Sequence, residues 1–212
     1  MKRIITLIGV ALAILGFYGP WVTSQRQIAA LTYNALDLAE FSKFLVRAHL
    51  GEITREIFLV PIVAAALALA LWTSHPNQIS RVLRYALSLA AAGLSLVPLP
   101  PYPYLLTAYS SAEDRGSFWL SVAGLVGVAL MFMLGQRIAG RWRSLIFFLL
   151  ALISALPATW EFFARALPAI SQAYGSPALP AWGFWATMMG LLLVATGGWV
   201  EHVEREAISD TR

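Results

Sequence analysis

IFLVPIVAAALALALWT, residues 57–73, carries no charge, and its polar side chains are confined to the last two positions, Trp72 and Thr73. A helix that is apolar on every face must be surrounded, by a large protein core or by lipid. Composition decides between the two. The chain has 212 residues, of which 59% are hydrophobic and 12% charged, whereas a soluble domain carries about 25% charged residues. A water-facing surface cannot be built from so few charges, so lipid is the expected surroundings.

Working outward from residues 57–73, five more apolar runs approach the roughly 20 residues needed to cross a bilayer as a helix. They are residues 4–22, 82–99, 118–136, 144–160 and 181–200. The expectation is an all-α, polytopic transmembrane helix bundle of six spans, forming a single integral membrane domain over residues 1–212. The first run follows MKR and ends in VTS, in the manner of a signal peptide. Pro20 and Trp21 suit an interfacial anchor, so this segment is expected to stay uncleaved. Arg84, at the start of the third run, is expected to snorkel its guanidinium to the interface.

Orientation follows the basic residues of the short connections. Lys2, Arg3, Arg81, Arg84, Arg137, Arg141, Arg143, Arg205 and Arg212 fall on one side. The longer connections of the other side hold Asp37, Glu40, Glu52, Glu56, Glu113, Asp114 and Glu161. Both termini are therefore expected in the cytoplasm, in a bacterial plasma membrane. The outer ends carry GPW at 19–21, PLPPYPY at 98–104 and PATW at 157–160, read as aromatic belts at headgroup level.

One stretch breaks the apolar pattern. LDLAEFSKFLVRAHL, residues 36–50, places Leu38, Phe41, Phe44, Leu45 and Ala48 on one helical stripe, with Glu40, Lys43 and Arg47 opposite. It reads as a short interfacial amphipathic helix on the outer face, opened by an Asp37/Glu40 capping box and stopped by Gly51. Its charged face and Phe41 and Phe44 are the expected partner-docking or gating surface.

Chemistry is sparse. The absence of cysteine excludes disulfides and thiolate chemistry. His49, His75 and His202 lie at interfaces without the further ligands that zinc or haem needs. Ser88, Ser95, Ser121 and Ser154 lack a histidine or lysine at their depth and are expected to bond helix backbone. No acid, lysine or histidine falls near the middle of an apolar run, which argues against proton-coupled transport. No catalytic, cofactor or metal site is expected. The basic residues form no continuous face, so nucleic acid is not an expected partner.

Packing signals are stronger. Gly183, Gly190 and Gly197 recur every seven residues, and Gly9 and Gly16 share that spacing, marking a seam where helices approach closely. Glu161 and Arg165 are placed for an interfacial i,i+4 ion pair. The leading reading is a non-enzymatic accessory or structural subunit, with membrane lipids and other membrane-protein subunits as partners. A small permease or channel-like protein for a neutral or lipidic substrate is the alternative. A lipid-modifying enzyme using Glu56, Glu161 or His49 is a further one.

Overall fold

The structure is a computed structural model and describes residues 2–24, 32–47, 53–74, 80–101, 103–138 and 140–209. It is mostly helical. The elements are α1 (Lys2–Tyr18), β1 (Val22–Ser24), α2 (Ala35–Arg47), α3 (Val60–Thr73), α4 (Arg81–Ser95), α5 (Arg115–Leu134), α6 (Gly140–Glu161), α7 (Leu167–Tyr174), β2 (Ala178–Pro180) and α8 (Trp182–Ser209).

The opening stretch forms the centre. Residues Pro61–Thr73 of α3 are buried except Leu67, and α1, α4, α5, α6 and α8 all pack on it. Alanines at 64, 65, 66, 68 and 70 keep α3 thin, so neighbours can close in from every side. Pro61 sits at the helix start, where a missing amide donor is harmless. Arg143 of α6 is buried and donates to the carbonyl oxygens of Leu71 and Trp72, satisfying the end of α3.

All six apolar runs lie on helices, but their lengths differ from the expectation. Among the described residues, two helices are long and apolar enough to cross a membrane, Arg115–Arg137 and Gly140–Tyr174. Helix α3 has 14 residues, about 21 Å at 1.5 Å per residue. It begins late because Arg55–Phe58 form a 3₁₀ turn instead.

Helices α1 and α8 run antiparallel along the glycine seam. A Cβ on Gly190 would lie 2.4 Å from the Ala13 nitrogen, and one on Gly16 would lie 2.7 Å from the Gly183 carbonyl oxygen. Gly9 faces Gly190, and Gly197 faces Thr6. The space beside these five glycines is thus filled from within the chain, by one another and by Thr6, Ala13, Thr187 and the Gly19–Pro20 backbone. A two-stranded antiparallel ribbon sets the register at one end, pairing Val22 with Pro180 and Ser24 with Ala178. No strand was expected from the sequence, because three residues are too few to show an alternating pattern.

Trp21 corrects another expectation. It is fully buried, donates its indole N–H to the Gly16 carbonyl at 3.1 Å, and meets Phe58, Phe162 and Phe184 edge-on. The ribbon turns it back into the bundle, so it is a core anchor and not part of a headgroup belt.

Candidate functional site

The polar side chains concentrate at the end of the bundle that carries α2. Asn34 starts this helix: its side-chain oxygen accepts from the Asp37 amide at 2.8 Å, and Asp37 accepts from the Asn34 amide at 3.2 Å. The capping box is therefore Asn34/Asp37 and not Asp37/Glu40, because the helix begins at Ala35, three residues before a cap at Asp37 would start it. The buried stripe is Ala35, Leu38, Ala39, Ser42 and Leu45. Phe41 lies at its edge and Phe44 is exposed. Ala48, His49 and Gly51 lie outside the described residues, as do His75 and the side chain of His202.

The charged face of α2 is turned toward other parts of the same chain. Lys43 bonds Asp114 at 3.0 Å and Glu40 at 3.0 Å. Arg55 bonds Asp114 at 2.8 Å through one guanidinium nitrogen and Glu40 through the other. Arg47 pairs with Glu113. The Arg55 and Asp114 side chains are 7% and 10% exposed, so each needs its partners: an isolated buried charge is far costlier than a paired one. Burial alone would raise the Asp114 carboxyl, but hydrogen bonds and charge from Lys43 and Arg55 outweigh it and hold it below its ordinary value. The hydrogen bond from Arg47 likewise lowers Glu113.

A second fastening is aromatic. Phe41 stacks on Tyr33 at 4.9 Å and on Tyr174 at 6.0 Å, and the two tyrosine hydroxyls share a 2.5 Å hydrogen bond. Burial, then that hydrogen bond, pushes Tyr33 well above the usual tyrosine range. Phe44 extends the stack at 5.4 Å from Phe41.

Glu161 and Arg165 are joined at 3.5 Å, but the Glu161 side chain is only 3% exposed. Its other role is to accept the Thr54 amide at 2.6 Å, tying the end of α6 to the segment leading into α3. A π-helical turn, Phe162–Ala166, follows. The wider turn accommodates Pro168, which cannot donate to the carbonyl four residues back.

Beneath the C-terminal half of α2 lies a pocket of about 380 Å³, lined by Lys43, Arg47, Arg55, Glu56 and Glu113 among others. The Glu56 carboxylate rests against Gly116 in the first turn of α5. Among the described residues, no group of three or more His, Asp or Glu could hold a metal. Ser88, Ser95 and Ser154 donate to backbone carbonyls of their own helices.

Sequence reasoning named Glu40, Lys43 and Arg47 but not the pair that organises them, Arg55 and Asp114. One signal was available. Arg55 stands two residues before a fully apolar run, where a charge must find partners. No known protein family, curated protein or solved structure matches the chain.

Proposed function

We propose that the chain is an integral membrane protein in which α1, α3, α4, α5, α6 and α8 cross a bacterial plasma membrane, both termini being cytoplasmic. It serves there as a non-enzymatic accessory or structural subunit. The membrane reading is supported by what the bundle presents outward: Leu15 on α1, Leu89 on α4, Val126 on α5, Ile153 on α6 and Leu192 on α8 are all exposed. A soluble monomer rarely exposes contiguous apolar area beyond a few hundred Å². The short α3 needs no lipid contact, since its neighbours enclose it. The arginine-rich turns lie at the end opposite α2, which favours α2 facing outward.

The observation that carries the subunit reading is the fastening of α2. Ion pairs to Arg55 and residues 113–114 hold one side, and the Tyr33–Phe41–Tyr174 stack holds the other. A helix held at both sides presents a fixed surface. Phe44 is exposed on that helix, and Tyr104 and Tyr109 are exposed on the segment that leads to Asp114; aromatic side chains of this kind anchor protein interfaces.

The test is capture from native membrane in mild detergent, with mass spectrometry of what co-purifies. A stoichiometric membrane-protein partner, lost with Phe44→Asp, is the expected result. A chain that arrives alone, or with lipid only, overturns the subunit reading. The permease reading has one observation in its favour, the pocket beneath α2, and requires that helix to swing. Cross-linking α2 to residues 113–114 would then abolish solute flux.

A further inference from the structure

We infer that the groove between α4 and α5 is a binding site for an anionic phospholipid of the leaflet that faces the arginine-rich turns. The inference rests on the membrane reading above. Helix α4 is the least enclosed of the bundle: Ala91 and Ser95 are its buried residues, while Val82 and Leu89 are 80% and 74% exposed. Between it and α5 runs a groove of about 460 Å³. Tyr85 and Phe132 line one end, Ala92 and Leu125 the other, and Ala129 narrows neither wall. From Tyr85 to Ala92 the groove follows about 10 Å of helix axis. Apart from the Tyr85 phenol at its aromatic end, the hydroxyl in its walls is that of Ser88, which is occupied by the Arg84 carbonyl at 2.9 Å and by Thr73 at 3.0 Å. The walls therefore offer apolar contact and nothing that would satisfy a peptide backbone.

The aromatic end of the groove carries a cation, Arg84, that has no acid partner among the described residues. The Arg84 guanidinium lies 5.0 Å from the Phe132 ring centre and 5.6 Å from that of Tyr85. Among the described residues no carboxylate pairs with it, and its Nε is buried with no acceptor. The guanidinium is thus held beside two aromatic rings with no acceptor of its own among the described residues, an arrangement that suits phosphate recognition by arginine. Arg81, one turn earlier, and Arg137, just beyond α5, are exposed at the same end and have no acid partner among the described residues. The amino end of α4 adds positive potential of the same sign. At the α2 end, by contrast, Lys43, Arg47, Arg55 and Arg165 each meet an acid. An acyl chain in the groove and a phosphodiester at Arg84 would complement both halves. The surplus of positive charge favours a lipid with net negative charge over a zwitterionic one.

The experiment is native mass spectrometry of the delipidated chain with added phosphatidylglycerol or phosphatidylcholine. Preferential retention of phosphatidylglycerol is expected, reduced about tenfold by Arg84→Gln, the size of one strong charge-assisted contact. Ala129→Phe fills the groove from an exposed position, so the fold survives, and should remove retention of both lipids. Equal retention of the two lipids, indifference to Arg84→Gln, or displacement by inorganic phosphate alone would overturn the site. Alkaline washing of membranes separates the two proposals: release of the chain defeats the membrane reading, whereas retention without lipid preference defeats only this site.

Discussion

The α1–α8 seam and the α2 cap join distant parts of one chain by opposite means. In the seam, backbone meets backbone. A Cβ on Gly9, Gly16, Gly183 or Gly190 would fall within 3 Å of main-chain atoms of the facing helix, and those cannot move aside without separating the helices. In the cap, contact is made by side-chain tips: carboxylates, guanidiniums and aromatic rings that can re-pair. The seam should therefore fail abruptly when a single methyl group is added. The cap should fail by degrees, as partners are removed.

The largest effect is expected from Gly190→Ala. The new Cβ meets the Ala13 nitrogen at 2.4 Å and the Gly9 oxygen at 2.6 Å, so destabilisation should reach or exceed the upper end of the ~1–3 kcal/mol usual for overpacking. Thermal unfolding in detergent reads it. An unchanged midpoint would show that the two helices are not in this contact. Next comes Asp114→Asn, which leaves Lys43 and the buried Arg55 with Glu40 as their remaining acid. A loss of about 1.5–3 kcal/mol is expected, confined to α2 and visible as faster amide exchange there while α1 and α8 stay protected.

Acid should act on the cap in the same selective way. Asp114 titrates below its ordinary value of 3.8. A depressed carboxylate contributes stability that is complete above the unfolded-state pKa and is lost as pH falls through the folded one. Protection of the α2 amides, taken relative to their intrinsic exchange rates, should be constant from about pH 8 to 5 and fall only below about pH 4. A fall already near pH 6 would point to a different titrating group. The smallest effect belongs to Arg47→Gln: its pair with Glu113 is exposed, and such pairs contribute little. No resolvable shift in the melting midpoint is expected. A clear loss would mean that this pair fastens the cap and that Asp114 is secondary.

These differences also mark what a sequence can and cannot disclose. The apolar runs and α2 were legible because a local pattern determines them: residues 57–73 are apolar on every face, and residues 36–47 alternate with helical period. The glycine spacing in α1 and α8 was equally visible. What it faces was not, since a small-residue stripe is the same whether the chain itself or another subunit fills it. Arg55, Asp114 and Glu161 were harder still. Their partners lie 59 residues away for the Arg55–Asp114 bond and 107 for Thr54–Glu161, and no local period encodes such a choice. Trp21 was misplaced for a related reason: GPW looks like a headgroup anchor until a three-residue ribbon folds it inward.

The membrane proposal places lipid around this bundle, with α2 on one side of the membrane and the turn before α6 on the other. The chain has no cysteine, so single cysteines can report directly. Phe44→Cys, Trp142→Cys and Ile153→Cys, all at exposed positions, would be probed with a membrane-impermeant maleimide in intact cells that overproduce the chain beyond any partner, so that position 44 is not covered. The account predicts that Phe44→Cys is labelled at once, Trp142→Cys only after permeabilisation, and Ile153→Cys in neither case. Labelling of Ile153→Cys by the aqueous reagent, or of Phe44→Cys and Trp142→Cys from the same side, would contradict it.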